Sequence, residues 1–365
     1  MTNMGAYSIT GEGMFNITTG TEFLLLGFSE VRELQLVHGM MFLLVYLAAL
    51  MGNLLIVTVT ALDERLHTPM YFFLSNLALI DLCLISVTVP KSVVNSLTNN
   101  RSISFLGCVL QVLFFISLAS TEMILLTVMS HDRYTAICHP LRYEVVMNRG
   151  ACGKMAAASW LSGGLSGLMH MATTFSEPFC GSHVIHHFFC EAPHLLAQAG
   201  STVILREVKV TIFTASLSFL CFISIIISYI RIFSIVLKIP SVEGRSKAFS
   251  TCLPHLVVVI LFLSAGAFAY LKSKSNGPSG VDLFLSMFYS IVPPAMNPII
   301  YSLRNRELKL LKLSGSDWIM AEMDISALIA YLLVSVFYTG CPPTLNPLIY
   351  SLRNKEHEGC PEEGS

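Results

Sequence analysis

Seven apolar segments, each long enough to cross a lipid bilayer, limit most strongly how this 365-residue chain can fold. A helix needs about 20 consecutive apolar residues to cross the hydrocarbon core. Charged residues make up only 12% of the chain, well below the share of about 25% in soluble domains, so much of its surface must face lipid. We therefore predict an all-α membrane protein, a bundle of seven transmembrane helices. The predicted spans are residues 37–60, 70–96, 106–131, 152–174, 208–236, 249–271 and 282–303.

Basic residues indicate the cytoplasmic side of the predicted bundle. They cluster after span 3, around the connection between spans 5 and 6, and after span 7. Since cytoplasmic loops carry an excess of lysine and arginine, the N-terminus is predicted outside and the end of span 7 inside. No basic block indicates a nucleic-acid partner. The basic residues on the cytoplasmic side are Arg133, Arg142, Arg149, Lys154, Arg231, Lys238, Arg245, Lys247, Arg304, Arg306, Lys309 and Lys312.

The chain carries two nearly identical endings, 49 residues apart. Between residues 293–307 and their counterparts at that offset, 11 of 15 positions match. The first copy completes span 7, and the second belongs to a further apolar segment, residues 325–350, in an atypical tail. The chain is thereby divided into an extracellular N-terminus at 1–36, a seven-transmembrane domain at 37–303, a short juxtamembrane cytoplasmic helix at 304–313 and the tail at 314–365.

The most specific motif, MSHDRYTAICHPLRY, occupies residues 129–143 at the cytoplasmic end of span 3. Asp132 and Arg133 are adjacent charges at a membrane boundary, and Tyr134 follows them. An arginine here could be an ordinary interfacial anchor with its apolar stem in lipid. A functional role is favoured because the remaining motifs fit one family. These motifs are TEFLLLGFS (21–29), GN (52–53), LHTPMYFFLSNLALIDLC (66–83), SY (228–229), KAFSTCLPHL (247–256) and PPAMNPIIYSLRNRE (293–307).

With these motifs in this order, the chain from Met14 to Lys312 resembles the olfactory receptors, a family of rhodopsin-like G-protein-coupled receptors. The resemblance implies a multi-pass plasma membrane protein that is not an enzyme. A small volatile odorant would shift the bundle to an active state that activates a stimulatory heterotrimeric G-protein and raises cyclic AMP. Arg133 would be held by Asp132 at rest and released on activation. The implied switch residues are Asp132, Arg133, Tyr134, Tyr229, Lys247, Asn297, Pro298 and Tyr301.

The odorant contacts implied by the resemblance lie in the outer halves of spans 3, 5, 6 and 7. They are mostly apolar with few hydroxyl groups, which suits small uncharged ligands. Helix packing is the alternative role for any one of them. The implied contacts are Phe115, Ile116, Ala119, Ser120, Phe213, Thr214, Leu263, Gly266, Ala267, Met287 and Ser290.

Two features of the outer side indicate processing in an oxidising compartment. Asn16 begins an Asn-Ile-Thr glycosylation sequon in the polar N-terminal tail. The resemblance implies a disulfide between Cys108 at the start of span 3 and Cys190 in the long outer loop. The alternative is that both are buried free thiols.

Two carboxylates lie in the middle of predicted spans, Asp81 in span 2 and Glu122 in span 3. A charged group there is costly unless it is paired or solvated. Together with Asn53 and Asn297 they could share a sodium ion or a proton. A water-bridged structural network is the alternative interpretation. No other cofactor is expected.

Other classes of protein fit the sequence less well. A transporter also carries polar residues inside its bundle, but no repeat relates the two halves of this chain as inverted-repeat transporters require. The small residues of LSGGLSGL (161–168) predict close helix packing rather than a nucleophile loop. The tail leaves one functional alternative open: a non-signalling or intracellularly retained product of an altered receptor gene.

Overall fold

A computed structural model describes residues 22–25, 32–98, 100–176, 184–185, 188–196, 200–272, 290–298 and 300. Side chains are described for these residues except 184, 193, 194 and 265–272. The predicted sequon at Asn16, the implied odorant contact Met287, the implied switch residue Tyr301, the predicted juxtamembrane helix at 304–313 and the tail lie outside the described residues.

The described chain is mainly helical. Spans 1, 2, 3, 4, 5 and 6 correspond to helices α1, α2, α3, α5, α7 and α8, and residues 290–298 form helix within span 7. Short 3-10 helices at Glu64–Leu66 and Pro140–Arg142 lie in the connections. The α-helices are α1 (Arg32–Leu62), α2 (Pro69–Thr98), α3 (Phe105–Cys138), α4 (Tyr143–Val146), α5 (Arg149–Thr174), α6 (Ala192–Leu196), α7 (Ser201–Val236) and α8 (Val242–Lys272).

The long helices extend beyond the apolar stretches from which they were predicted. Helix α3 ends at Cys138, seven residues after the predicted end at 131. The difference arises because apolar side chains are needed only inside the hydrocarbon core, whereas backbone hydrogen bonding continues into the interface. Side-chain caps define two of the helix starts: Ser104 accepts from the Gly107 amide, and Asn148 accepts from the Ala151 amide.

Five of the described helices are long and apolar enough to cross a membrane: α1, α2, α3, α7 and the part of α8 up to Ser264. Helix α5 is less apolar because glycine, serine and alanine make up much of its length. These small residues have a packing role. A Cβ atom on Gly163 would lie 2.6 Å from the Ser117 carbonyl oxygen, and one on Gly167 would lie 2.6 Å from that of Leu113. The predicted close packing of span 4 is therefore confirmed, and its partner is α3.

A short sheet covers part of the outer side of the bundle. The N-terminal strand β1 (Glu22–Leu25) pairs antiparallel with β2 (Ser102–Ser104) and parallel with β3 (Val184–Ile185). Phe23 and Leu25 from the central strand are buried against the residues around the outer end of α3. Strand β1 therefore holds the first outer connection and the long outer loop together.

Candidate functional site

A disulfide bond fixes the long outer loop to α3. Cys108 and Cys190 are both fully buried, with 5.3 Å between their Cα atoms. Gln111, one turn further along α3, accepts a hydrogen bond from the Cys190 amide at 3.0 Å and donates one to the Val87 carbonyl. The predicted bridge is confirmed, and Gln111 adds a second link between the loop and helices α2 and α3.

The residues just before Cys190 enter the bundle from outside. Phe188 and Phe189 are buried, and the Phe188 carbonyl accepts a hydrogen bond from Ser92 at 2.8 Å. The Phe189 ring lies 5.3 Å from that of Phe115, and the Phe188 ring lies 6.4 Å from that of Phe42. The implied odorant contact Phe115 therefore lies directly beneath the loop.

The other implied odorant contacts have different surroundings. Ile116, Ala119 and Leu263 are half-buried, and Ser290 is fully buried. Ser120 donates a hydrogen bond to Ser166 on α5 at 3.1 Å. Phe213 is exposed over 52% of its surface.

Thr214 contacts His170 on α5, with 3.1 Å between Oγ1 and Nε2. The side chains of Gly266 and Ala267 are not among those described. The described residues bring Phe115 and the outer loop together but do not enclose a pocket from all four implied spans. The odorant contacts thus remain predictions.

The four polar residues predicted in the bundle centre are completely or almost completely buried there. Asn297 donates a hydrogen bond to Asp81 at 2.8 Å. Asn53 donates to the Ala49 and Pro294 carbonyl oxygens at 3.0 and 2.9 Å, which ties α1 to span 7. Glu122 on α3 lies close enough to Asp81 for their charges to repel each other.

The oxygen atoms of this cluster carry unused hydrogen-bonding capacity. One oxygen each of Asn53, Asp81 and Asn297 and both carboxyl oxygens of Glu122 accept no hydrogen bond from any described residue. An oxygen-only ligand set suits a hard cation. The residues therefore fit a sodium ion chemically, although among the described residues no group of three or more His, Cys, Asp or Glu side chains could hold a metal ion.

At the cytoplasmic end of α3, Asp132 has two partners. Tyr143 of α4 donates a hydrogen bond to Asp132 Oδ1 at 2.7 Å, and Arg133 Nε lies 3.8 Å from Oδ2. Burial and the adjacent Asp132 carboxylate raise the pKa of Tyr143, so it remains a proton donor throughout the physiological range. Sequence reasoning missed Tyr143, because the contact depends on the turn at Pro140–Arg142.

A second polar contact joins three helices deeper in the bundle. Tyr229 on α7 lies 2.6 Å from His255 Nδ1 on α8, and His255 Nε2 lies 3.1 Å from the Leu126 carbonyl oxygen on α3. A carbonyl can only accept, so a neutral His255 carries its proton on Nε2 and accepts the Tyr229 hydroxyl proton at Nδ1. His255 and Tyr229 are both buried. His255 was quoted within the motif KAFSTCLPHL but was not selected as a switch residue.

The remaining switch residues lie around these contacts. Lys247 is exposed near the cytoplasmic start of α8, and Tyr134 contacts His139 at 3.0 Å. Pro298 packs so closely on α1 that a Cβ atom on Gly52 would lie 3.0 Å from it. Their roles in a switch remain predictions.

The connection after α3 exposes apolar side chains to the cytoplasm. Leu141 is 98% exposed and Val145 is 76% exposed, and the basic residues Arg142 and Arg149 lie beside them in the chain. Both residues lie beyond the end of α3 and outside the predicted membrane span, so contact with lipid does not explain why they are exposed. This surface was not predicted from the sequence.

Comparisons with known proteins agree with the resemblance. The model of the olfactory receptor family matches residues 42–312. Human olfactory receptor 14A16 is 57% identical over 297 residues, covering 81% of this chain and 96% of that protein. Human olfactory receptor 14J1 is 56% identical over 296 residues, covering 81% and 92%.

The fold is also found among solved structures. Squid rhodopsin superimposes with a TM-score of 0.61 at 16% sequence identity, covering 81% of this chain and 92% of that one. At this identity the match bears on the fold alone. The predicted seven-helix, rhodopsin-like bundle is thereby confirmed. The chain belongs to the olfactory receptor family, whose members are multi-pass signalling receptors of the plasma membrane and not enzymes.

Proposed function

We propose that this odorant receptor activates a stimulatory heterotrimeric G-protein and raises cyclic AMP when a small volatile ligand binds in the helix bundle. The observation that carries the proposal is the contact of Tyr229, His255 and the Leu126 carbonyl, which joins α7, α8 and α3. We infer that these three helices, held by two hydrogen bonds, can adopt a second packing in which both bonds are broken, and a ligand can bias such an equilibrium.

Outward movement of the cytoplasmic end of α8 breaks both hydrogen bonds of His255. The Tyr229 hydroxyl is thereby released from His255 and turns towards Arg133 at the end of α3. Arg133 is buried, and its Nε donates no hydrogen bond to any described residue; it forms only a long ion pair with Asp132 at 3.8 Å. A loosely held arginine of this kind is suited to exchange partners during activation.

The exposed surface at Leu141 and Val145 supports a protein partner on the cytoplasmic side. Exposed apolar side chains bordered by charge are typical of interaction sites. The neighbouring arginines would attract an acidic partner surface and accelerate its approach. A G-protein that enters the opening left by α8 would contact this surface and Arg133 together.

We propose further that Asp81, Glu122, Asn53 and Asn297 hold a sodium ion in the resting state. The support is the set of side-chain oxygens without hydrogen-bond donors described above. A bound cation would supply the positive charge that lets both carboxyl groups stay ionised.

The sodium proposal is tested by the unfolding temperature of purified receptor in sodium chloride and in choline chloride. Sodium should stabilise the receptor, and Asp81→Asn should remove the difference. Equal unfolding temperatures for the unsubstituted receptor would rule the site out.

The signalling proposal is tested by cyclic AMP in cells that express the full chain and are exposed to an odorant panel. Arg133→Ala should abolish the ligand-induced rise at equal surface level, because Arg133 serves the switch rather than packing. Arg65→Ala is the matched control, since Arg65 is an exposed arginine that forms an ion pair with Asp63, two residues earlier. A full response from Arg133→Ala would contradict the role. The alternative of a non-signalling product receives no support from the comparisons.

A further inference from the structure

A small, partly open cavity lies at the outer side of the bundle, between the start of α1, the end of α2 and strand β1. Its volume is about 20 Å³. A cavity needs about 10–15 Å³ to hold one water molecule, so this one has room for a single small ion and none for an odorant. Most of the described side chains that line it are polar. These polar residues are Gln35, Ser92, Asn95, Ser96 and Arg101.

The Ser96 hydroxyl gives the cavity a donor that no other group uses. Ser96 is 8% exposed, and its hydroxyl forms no hydrogen bond with any described residue. The other hydroxyl that lines the cavity, that of Ser92, already donates to the Phe188 carbonyl oxygen at 2.8 Å. A serine hydroxyl carries one proton, so the proton of Ser96 is available to an occupant of the cavity that accepts a hydrogen bond.

Two arginines make the surroundings of the cavity positive. The Arg101 side chain lines it, and a guanidinium has several N–H donors, so one further partner does not use them all. Arg32 lies at the edge of the cavity, where it donates to Gln35 at 3.3 Å and to the Ser96 and Leu97 carbonyl oxygens at 2.7 and 2.6 Å. These partners are neutral. No carboxylate of the described residues forms an ion pair with Arg32.

These charges favour an anion as the occupant. No aspartate or glutamate is among the described lining residues, and Glu22 of β1 and Glu33 of α1 are exposed. The half-buried charge of Arg32 is offset only by carbonyl oxygens at the end of α2. An anion in the cavity would offset it more fully than a neutral water molecule. Chloride is the main inorganic anion outside cells and is only slightly larger than water, so it suits the volume.

We infer that this cavity binds chloride or a halide of similar size. The anion accepts hydrogen bonds from Ser96 and Arg101, and it thereby joins the end of α2 to the connection that precedes α3. The Arg101 carbonyl oxygen also accepts a hydrogen bond from the Leu25 amide at 2.8 Å. The bound anion therefore stabilises the attachment of strand β1 to the outer side of the bundle. The inference depends neither on an odorant nor on coupling to a G-protein.

The test measures the unfolding temperature of the purified full chain in sodium chloride, sodium bromide and sodium gluconate. Gluconate is an organic anion that is too large for a cavity of about 20 Å³. Chloride and bromide should each raise the unfolding temperature by about 2–4 °C relative to gluconate, and the rise should saturate with concentration. The sodium concentration is the same in all three solutions, so the proposed sodium site does not contribute to the difference.

Two substitutions and two controls locate the effect. Ser96→Ala and Arg101→Gln should each remove most of the chloride-dependent rise. The rise is taken within each variant, so a general loss of stability does not affect the comparison. Thr98→Ala is the control for Ser96, because the Thr98 hydroxyl belongs to the same helix end but donates to the Val94 carbonyl oxygen at 2.7 Å. Arg65→Gln is the control for Arg101, because it removes an exposed arginine far along the chain. Both controls should keep the full rise.

Equal unfolding temperatures in chloride and gluconate would overturn the inference, since the cavity would then hold water only. A difference that grows with concentration without saturating would also overturn it, because that is a general effect of salt. The full chloride-dependent rise in either Ser96→Ala or Arg101→Gln would place the anion elsewhere and contradict the assignment to this cavity.

Discussion

Tyr143 lies closer to Asp132 than Arg133 does. The Tyr143 hydroxyl donates to Asp132 Oδ1 at 2.7 Å, whereas Arg133 Nε is 3.8 Å from Oδ2. The resemblance implied that Asp132 holds Arg133 at rest, and the structure adds a tyrosine that shares the same carboxylate. A hydrogen bond to an ionised acceptor contributes about 1.5–3 kcal/mol. Tyr143 thus contributes to the resting position of the α3 end.

Tyr143→Phe should raise cyclic AMP in the absence of odorant. The substitution removes only the hydroxyl, so Asp132 loses one partner and the end of α3 is held less firmly. A several-fold rise corresponds to about 1 kcal/mol of lost bias towards the resting state. Basal cyclic AMP is measured at matched surface expression. Tyr46→Phe is the control, because the Tyr46 hydroxyl forms a hydrogen bond with Ser86 at an exposed site that is distant in sequence from Asp132. Unchanged basal signal in Tyr143→Phe would show that this hydrogen bond does not bias the switch.

Whether a structural feature could be predicted from the sequence depends on how far apart in the chain its interacting residues lie. The spans were predictable because membrane crossing requires a local run of apolar side chains. The Cys108–Cys190 bridge was predictable only through the family resemblance. The pair of His170 and Glu207 joins residues 37 positions apart on different helices, and neither residue lies in a motif that was recognised.

The outer sheet was missed for a related reason. Strand β1 is four residues long and pairs with segments of the two outer connections. Strands this short give almost no periodic signal, and their pairing depends on tertiary contacts. The segment TEFLLLGFS was recognised as a family motif, but its structural role became visible only in the buried positions of Phe23 and Leu25.

Gly163→Ala should destabilise the receptor, whereas Gly164→Ala should not. A methyl group on Gly163 meets the backbone of α3 at Ser117, while one on Gly164 meets nothing within 4 Å. Overpacking costs about 1–3 kcal/mol, and alanine at an open helix position is favourable by up to about 1 kcal/mol. The unfolding temperature of purified receptor should fall for the first variant and hold or rise for the second. Equal behaviour of the two variants would contradict the close packing of α5 on α3.

Cys108→Ser and Cys190→Ser should each retain the receptor inside the cell. The bridge holds the outer loop, including Phe188 and Phe189, in the top of the bundle. Because both variants remove the same bond, the double variant should be no worse than either single one. Surface staining of the three variants is the measurement. Losses that add in the double variant would mean that the two cysteines act separately.

Truncation after Leu313 should preserve the odorant response and leave surface expression equal or higher. The family model matches residues up to 312, and the second NPLIYSLRNKE lies beyond that match. The tail beyond Leu313 would carry a further apolar segment for which a seven-helix bundle has no groove. Surface staining and cyclic AMP are compared with those of the full chain. Loss of the response on truncation would show that the tail contributes to function.

The central claim is that odorant binding in this bundle activates a stimulatory G-protein. It is tested most directly by nucleotide exchange on purified G-proteins mixed with the purified full-length receptor, with and without an odorant that binds it. The odorant should accelerate exchange on the stimulatory G-protein and have little effect on an inhibitory one. Arg133→Ala should remove the acceleration. An odorant that binds without accelerating exchange on the stimulatory G-protein, or that accelerates it equally with Arg133→Ala, would contradict the account.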